Sequence, residues 1–254
     1  MSALLAVRGL TLGFYGAQIL RGVDFAIKEG TITGLIGPNG AGKSTLFNAI
    51  SGLYRPSGGT VLLGEDDITG LKPHLLVRRG LVRTFQLARG FPKLSVFQHL
   101  MLYGLDQPGE TLAAALLSSP ASRKREQALS EKALETARRL RLGHVIDNPV
   151  TALSGGQKKL VEIGRALMAD PKIILLDEPM AGVNPSLADE IAEHLIALNN
   201  GGITICLIEH DMALIKRLCD PVVVLAEGKT LVEGRFDEVA ADAEVQEAYL
   251  GTRR

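Results

Sequence analysis

The chain has 254 residues, and its 28 lysine and arginine residues are balanced by 28 aspartate and glutamate residues. A net charge of zero gives no reason to expect a polyanionic partner, so any phosphate-binding site must be local. The apolar content of 46% and the 28 glycines are typical of a globular α/β protein. The N-terminus lacks a basic segment followed by a sustained apolar run, and no apolar stretch approaches the roughly 18 residues of a membrane span. We therefore predict neither a signal peptide nor a membrane helix.

Two groups of strands are predicted along the chain. The first group lies at about 4–12, 19–27, 31–36 and 60–63, and a helix is predicted at 43–53. The second group consists of short, continuous apolar runs at 173–176, 204–208 and 222–225. Such runs are typical of parallel strands buried on both faces. Cys206 lies inside one of these runs, and Cys219 ends a helical pattern; both are predicted to be buried thiols without a metal.

The stretch from about 87 to 170 has a different character. It is poor in β-branched runs and rich in helix-forming residues. Apolar residues recur at helical spacing from Leu129 to Leu140 and again from Leu160 to Leu167. We predict a mostly helical subdomain inserted into a parallel-sheet core.

A glycine-rich segment at residues 37–45 fits the pattern G-x-x-x-x-G-K-[ST]. It lies between a predicted strand and a predicted helix, which is the context that this pattern requires. Its glycines let backbone N–H groups close around phosphate oxygens, Lys43 can reach the outer phosphates, and the Ser44 hydroxyl can bind Mg²⁺. The predicted nucleotide-binding residues are Gly37, Pro38, Asn39, Gly40, Ala41, Gly42, Lys43, Ser44 and Thr45.

Two carboxylates, Asp177 and Glu178, follow the apolar run at 173–176. Open α/β sheets place their ligands at this end of the strands. Asp177 is predicted to bind Mg²⁺, and Glu178 is predicted to polarise the attacking water as a general base. Taken alone, Asp-Glu-Pro also fits the start of a helix with an acidic first turn.

Two further polar residues end apolar runs. His210 follows the run at 204–208, where the sheet edge would bring its imidazole near the transferred phosphate. Gln86 ends the run at 81–86. Taken singly, His210 also fits a surface or satisfied core histidine, and Gln86 fits a polar residue at a sheet edge.

Residues 153–157 read Leu-Ser-Gly-Gly-Gln and open a predicted helix, which provides a second cluster of amides suited to an anion. With this segment, the chain resembles the ATP-binding subunit of ABC transporters from end to end. The resemblance identifies residues 153–157 as the family signature. It assigns Gln86 to the loop that senses Mg²⁺ and the partner, and His210 to the switch histidine.

The resemblance implies an α/β fold with a P-loop NTPase (RecA-like) core, a mostly parallel sheet, an N-terminal antiparallel β subdomain and an inserted helical subdomain. One ATP-binding domain would span 1–254, with the core and β subdomain at about 1–86 and 171–254 and the helical subdomain at about 87–170. ATP and Mg²⁺ are the implied cofactors. The implied catalytic residues are Glu178, His210, Lys43 and Gln86, and the implied metal ligands are Ser44, Gln86 and Asp177.

The resemblance also explains why one chain has two phosphate-binding segments. In this family two ATPase chains pack head to tail, and each signature covers the nucleotide of the other chain. The signature residues implied to contact nucleotide are Ser154, Gly155, Gly156 and Gln157. The implied partners are a second ATPase subunit, identical or sister, polytopic permease subunits and, indirectly, a periplasmic or extracellular substrate-binding protein. No nucleic acid is expected, and the chain would lie on the cytoplasmic face of the membrane.

Two positions are matched to the family less closely. Tyr15 lies where the family places an aromatic ring against adenine, and Phe14 competes for this role. Asn184 stands where an aspartate is usual, so communication across the dimer would be tuned differently.

Several segments resemble the larger ATPase of branched-chain amino acid uptake, among them 82–86, 182–185, 207–212, the insertion at 103–132 and the tail at 248–251. The general form of the signature departs from that subunit, which often carries an altered one. Importers of urea, short amides or aromatic acids share the pattern.

The alternatives are the ATPase of lipopolysaccharide export, whose middle region is shorter, and a soluble ABC ATPase acting on nucleic acid or ribosomes. A single cassette with neutral charge and no basic tail disfavours the latter.

Overall fold

The computed structural model describes residues 3–84, 91–107 and 120–250. The chain forms two compact units and contributes several segments to each. The first unit comprises Met1–Arg83, Lys172–Ala181 and Ala192–Arg254, and the second comprises Thr84–Pro171 and Gly182–Ile191.

The first unit contains an antiparallel sheet of four strands. They are β1 (Ala3–Phe14), β2 (Ala17–Lys28), β4 (Gly58–Leu63) and β5 (Asp66–Asp67), in the order β2–β1–β4–β5. In β1, Val7 and Leu10 are both buried although they are three residues apart. A register shift against β2 between these two residues keeps both side chains on the core face. The predicted N-terminal antiparallel sheet is confirmed.

The second sheet of the first unit has six strands. They are β3 (Ile32–Ile36), β6 (Leu81–Arg83), β7 (Ile173–Asp177), β8 (Thr204–Ile208), β9 (Val222–Ala226) and β10 (Lys229–Gly234), in the order β10–β9–β3–β8–β7–β6. Only β10 runs antiparallel to its neighbour in this sheet. All residues of β3 and β8 are buried, as expected for continuous apolar runs. The predicted mostly parallel sheet is confirmed.

The topology brings three loops to one edge of this sheet. Strand β8 lies between β3 and β7 and runs parallel to both. The segments that begin at Gly37, Glu178 and Glu209 therefore leave the sheet at the same edge. This edge carries the phosphate-loop pattern and the carboxylates singled out in the sequence.

Nine α-helices lie within the described residues. They are α1 (Lys43–Ile50), α2 (Pro73–Arg78), α3 (Val96–Leu102), α4 (Pro120–Arg139), α5 (Gly155–Leu167), α6 (Pro185–Asn200), α7 (Met212–Leu218), α8 (Phe236–Ala241) and α9 (Ala243–Leu250). Helix α1 ends before residue 53, where the sequence placed its end. The chain reverses at Gly52, which has φ 74°, and a side chain there would overlap the carbonyl of Leu71.

In the second unit, α3, α4 and α5 pack against one another. Leu129, Ala133 and Ala137 form the buried stripe of α4, and residues from Leu160 to Leu167 form that of α5. The helical pattern predicted between about 87 and 170 is therefore present in its described parts. No helix among the described residues is long and apolar enough to span a bilayer.

Candidate functional site

Residues 37–45 connect β3 to α1 and form a loop that only glycine permits at key positions. Gly37, Gly40 and Gly42 have φ values of 147°, 79° and 101°, in the region that side chains rarely adopt. At Gly37 a Cβ would also overlap the carbonyl oxygen of Leu225 on β9. Helix α1 begins at Lys43 and directs its N-terminal amides toward this loop. This is the backbone geometry that a phosphate-binding loop requires.

The loop borders a cavity of about 410 Å³ in the first unit. Its lining residues are Phe14, Ile19, Asn39, Gly40, Ala41, Gly42, Lys43, Ser44, Thr45, Glu178 and His210. Seven of the nine predicted loop residues therefore line it. The carbonyls of the other two, Gly37 and Pro38, instead accept hydrogen bonds from Lys43 Nζ at 2.7 and 3.0 Å.

The Lys43 side chain is held inside the loop, and the residue is only 6% exposed. Burial lowers the pKa of Lys43, whereas the nearby carboxylates of Glu178 and Asp177 raise it. Phosphate oxygens are stronger acceptors than the two carbonyls because they carry charge. The lysine is thus placed to exchange carbonyl oxygens for phosphate oxygens.

Asp177, the last residue of β7, forms an ion pair with Arg83, the last residue of β6. Arg83 Nη2 lies 2.8 Å from Asp177 Oδ2, and the Arg83 side chain is only 7% exposed. Arg83 Nη1 also donates to Asn48 Oδ1 at 2.6 Å. Burial lowers the pKa of Arg83, and Asp177 opposes that shift. Arg83 belongs to no sequence motif with a predicted role, although an arginine in a buried strand calls for an acidic partner.

The predicted Mg²⁺ ligands are only partly described. Ser44 lines the cavity and Asp177 ends the adjacent strand, and both offer the oxygen donors that Mg²⁺ prefers. Gln86, the third predicted ligand, lies outside the described residues. The donor chemistry of Ser44 and Asp177 fits the metal.

Glu178 and His210 meet where β7 and β8 end. His210 Nε2 lies 2.8 Å from Glu178 Oε1, and both side chains are about half exposed. Glu178 adopts φ 50°, an unusual backbone conformation for a residue with a side chain. Strained backbone of this kind is common in active sites, where the surrounding structure maintains it. The structure thus pairs two side chains that the sequence analysis had placed at one sheet edge.

The two aromatic residues predicted to contact adenine, Phe14 and Tyr15, differ in their position relative to the cavity. Phe14 lines the cavity and makes an edge contact with Tyr54, with ring centroids 5.0 Å apart. Tyr15 forms the turn between β1 and β2 with φ 50° and is fully exposed. It is not among the cavity-lining residues. In this geometry Phe14 rather than Tyr15 has the aromatic ring next to the cavity, contrary to the sequence preference for Tyr15.

The signature segment lies in the second unit at the start of α5. Ser154 is the N-cap, and Gln157 N donates to Ser154 Oγ at 3.2 Å. Gln157 Oε1 in turn accepts from Ser154 N at 3.0 Å, which completes a capping box. The position of a Cβ on Gly155 is open, whereas a Cβ on Gly156 would overlap Leu187. The local structure therefore orders a helix start with Gly155 accessible.

Comparison with known proteins identifies the family. The model of the family described as "ABC transporter" matches residues 20–181. This chain belongs to the ABC transporter ATP-binding family. A second model, described as "Branched-chain amino acid ATP-binding cassette transporter", matches residues 229–254.

Curated relatives resemble this ABC ATPase over nearly its whole length. It is 35% identical to the high-affinity branched-chain amino acid transport ATP-binding protein BraF of Pseudomonas aeruginosa, over 98% of each chain. It is 40% identical to a probable branched-chain amino acid transport ATP-binding protein, LivG, of Methanocaldococcus jannaschii, over 92% of each chain.

Solved structures agree with the fold. A nucleotide-free ATP-binding cassette from an ABC transporter superposes with a TM-score of 0.86 at 38% identity, covering 98% of this chain and 100% of that one. A cassette in its ADP conformation gives the same TM-score and identity, covering 99% and 100%. The predicted ABC ATPase fold is therefore confirmed, and the chain is a nucleotide-binding ATPase subunit of a transporter.

Proposed function

We propose that this ABC ATPase supplies the energy for import of branched-chain amino acids. The observation that carries the proposal is the match of its last 26 residues, 229–254, to the model specific for branched-chain amino acid cassettes. The names of the full-length relatives support the same cargo. Importers of related small amides or acids share the ATPase pattern, and measured uptake distinguishes these cargoes from branched-chain amino acids.

The geometry supports a division of labour in ATP hydrolysis. Lys43 binds the outer phosphates in place of the Gly37 and Pro38 carbonyls that it now contacts. Glu178 accepts the proton of the attacking water as that oxygen bonds to the γ-phosphorus, and the bond to the bridging oxygen breaks to give ADP and phosphate. His210, hydrogen-bonded to Glu178, orients this carboxylate, and it lines the cavity in which the transferred group would lie.

Ser44, Asp177 and Gln86 would hold Mg²⁺, which neutralises charge on the phosphate oxygens when it is bound. Arg83 engages Asp177 Oδ2, which leaves Oδ1 of this carboxylate for the metal or its water shell. The pairing with Arg83 thereby orients the carboxylate that faces the phosphate loop.

The working assembly is a head-to-tail pair of ATPase chains with two nucleotides at the interface. Ser154 and the amides of Gly155 and Gly156 contact the γ-phosphate on the other chain. The second chain is either another copy or a sister ATPase. The pair binds polytopic permease subunits on the cytoplasmic face of the membrane, and a substrate-binding protein delivers cargo from the opposite side.

Uptake in cells that lack this chain tests the proposal. The wild-type gene should restore uptake of radiolabelled leucine, isoleucine and valine, whereas Glu178→Gln, expressed at the same level, should not. Restored uptake of urea, an amide or an aromatic acid instead of these three amino acids would identify a different cargo. Accumulation of lipopolysaccharide in the inner membrane upon loss of the chain would support the export alternative instead.

A further inference from the structure

Glu209 is a buried carboxylate that has no role in the proposed steps of ATP hydrolysis. It lies between Ile208, the last residue of β8, and His210. The residue is only 5% exposed, among the most buried acidic residues that the structure describes. A buried carboxylate is costly unless hydrogen bonds compensate for the lost water.

Both oxygens of Glu209 accept backbone hydrogen bonds, and these come from two different loops. Oε1 accepts from the N–H of Met180 at 2.8 Å, and Oε2 accepts from the N–H of His210 at 3.2 Å. Met180 is two residues after Glu178 and is itself buried. The carboxylate therefore links the loop after β7 to the loop after β8.

The same two loops carry Glu178 and His210. Glu178 N donates to the carbonyl of Ile208 at 3.0 Å, so the Glu178 backbone is fixed on one side by β8. The bond from Met180 to Glu209 fixes the chain on its other side. Glu178 sits between these two attachments with φ 50°, a conformation that persists only where neighbouring contacts enforce it.

A carboxylate is the group that suits this position. Its two oxygens match two N–H donors, whereas a glutamine side chain has one oxygen and would turn an NH₂ group toward one of the donors. Burial raises the pKa of Glu209, and the two backbone N–H groups oppose that shift by stabilising the charged form.

We propose that Glu209 is a positioning residue for ATP hydrolysis. It fixes the backbone of Met180 and His210 so that Glu178 and His210 stay within hydrogen-bonding distance at the cavity. The proposal rests on the proposed roles of Glu178 and His210, through which Glu209 acts.

The test is a double-mutant cycle in the full-length chain. Glu209→Gln should lower kcat by about 10- to 100-fold, the loss expected when a catalytic group shifts by about an ångström. ATP affinity, measured by titration with a fluorescent nucleotide, should change by less than about twofold, because Glu209 is not among the residues that line the cavity. In the Glu178→Gln background the same substitution should cause no further loss, because the group that it positions is already disabled.

Asp211→Ala provides the matched control. Asp211 is two residues from Glu209 and also accepts two backbone hydrogen bonds, but both come from its own helix, at Ala213 and Leu214. This variant should lower thermal stability as a lost N-cap does and leave kcat unchanged.

Two results would overturn the positioning role: an equal loss of kcat in both backgrounds, or normal kcat in Glu209→Gln with Glu178→Gln inactive. Near-normal turnover in Glu178→Gln would instead refute the proposed base, and the positioning role that acts through Glu178 would be refuted with it. If Glu209→Gln does not fold, Glu209→Asp carries the test. It keeps the charge but is one methylene shorter, and it should lower kcat in the same direction by a smaller factor.

Discussion

The charged side chains around the nucleotide cavity are all paired within the first unit. Lys43 donates to loop carbonyls, Asp177 pairs with Arg83, and Glu178 contacts His210. In the proposed function, ATP and Mg²⁺ would exchange these partners for their own charges.

At the residue scale, the first prediction concerns Phe14 and Tyr15. Phe14→Ala should weaken ATP binding by about 1–3 kcal/mol, the value of stacking a base on an aromatic ring, because Phe14 lines the cavity. Tyr15→Ala, in the exposed turn, should leave affinity nearly unchanged. Calorimetric titration with ATP checks both variants. A larger loss of ATP affinity for Tyr15→Ala than for Phe14→Ala would instead favour Tyr15 as the ring that contacts adenine.

The residues in and around the cavity differ in how well the sequence predicts them. Glycines, Lys43 and Ser44 follow from one contiguous pattern whose backbone demands are local. Arg83 was missed because its partner, Asp177, is 94 positions away in the sequence and becomes adjacent only through the pairing of β6 with β7. Phe14 and Tyr15 are neighbours, and only the geometry of the turn separates their environments.

At the element scale, the N-terminus of α5 combines a capping box with two glycines that have different surroundings. The cap orders the first turn without any ligand, because Ser154 and Gln157 satisfy each other's backbone N–H groups. The helix start is therefore preformed, and this reduces the ordering cost of a contact with phosphate.

The two glycines predict opposite effects on stability. Gly156→Ala should lower the free energy of unfolding by about 1–3 kcal/mol, because the added methyl overlaps Leu187. Gly155→Ala should leave it unchanged or raise it by up to about 1 kcal/mol, because the space is open and alanine favours helices. Thermal unfolding followed by circular dichroism measures both. Equal destabilisation by the two variants would contradict this account of the helix start.

Strands and helices were predicted best where the pattern of apolar residues in the sequence matches the burial of those residues in the structure. Strand β8 has the predicted bounds of 204–208, since every residue in it is apolar or buried. Strand β1 extends beyond its predicted end because Gly13 and Phe14 continue to pair with β2. Backbone pairing up to the turn at Tyr15 and Gly16, rather than the apolar run, determines where this ladder stops.

At the scale of the whole molecule, we expect ATP to bring two chains together. Glu178→Gln should lower turnover by about 10²- to 10⁴-fold while ATP binding persists, because a positioned base is lost but the phosphate loop is intact. A dimer should then accumulate with ATP, as measured by size-exclusion chromatography with light scattering.

Lys43→Ala in the same background serves as the control for this dimer. It removes the ammonium that binds the outer phosphates, so both ATP binding and the dimer should be lost. A Glu178→Gln chain that stays monomeric at saturating ATP would contradict pairing of identical chains and favour a sister ATPase as the partner.

The backbone of Glu178 has an implication for engineering this protein. A side chain at φ 50° costs stability, on the order of 1–3 kcal/mol, and glycine would relieve that cost at the same position. A screen of a mutant library for heat resistance alone, without a selection for transport activity, would enrich Glu178→Gly. Clones with this substitution would gain stability and lose the proposed catalytic base, so stability and turnover must be selected together.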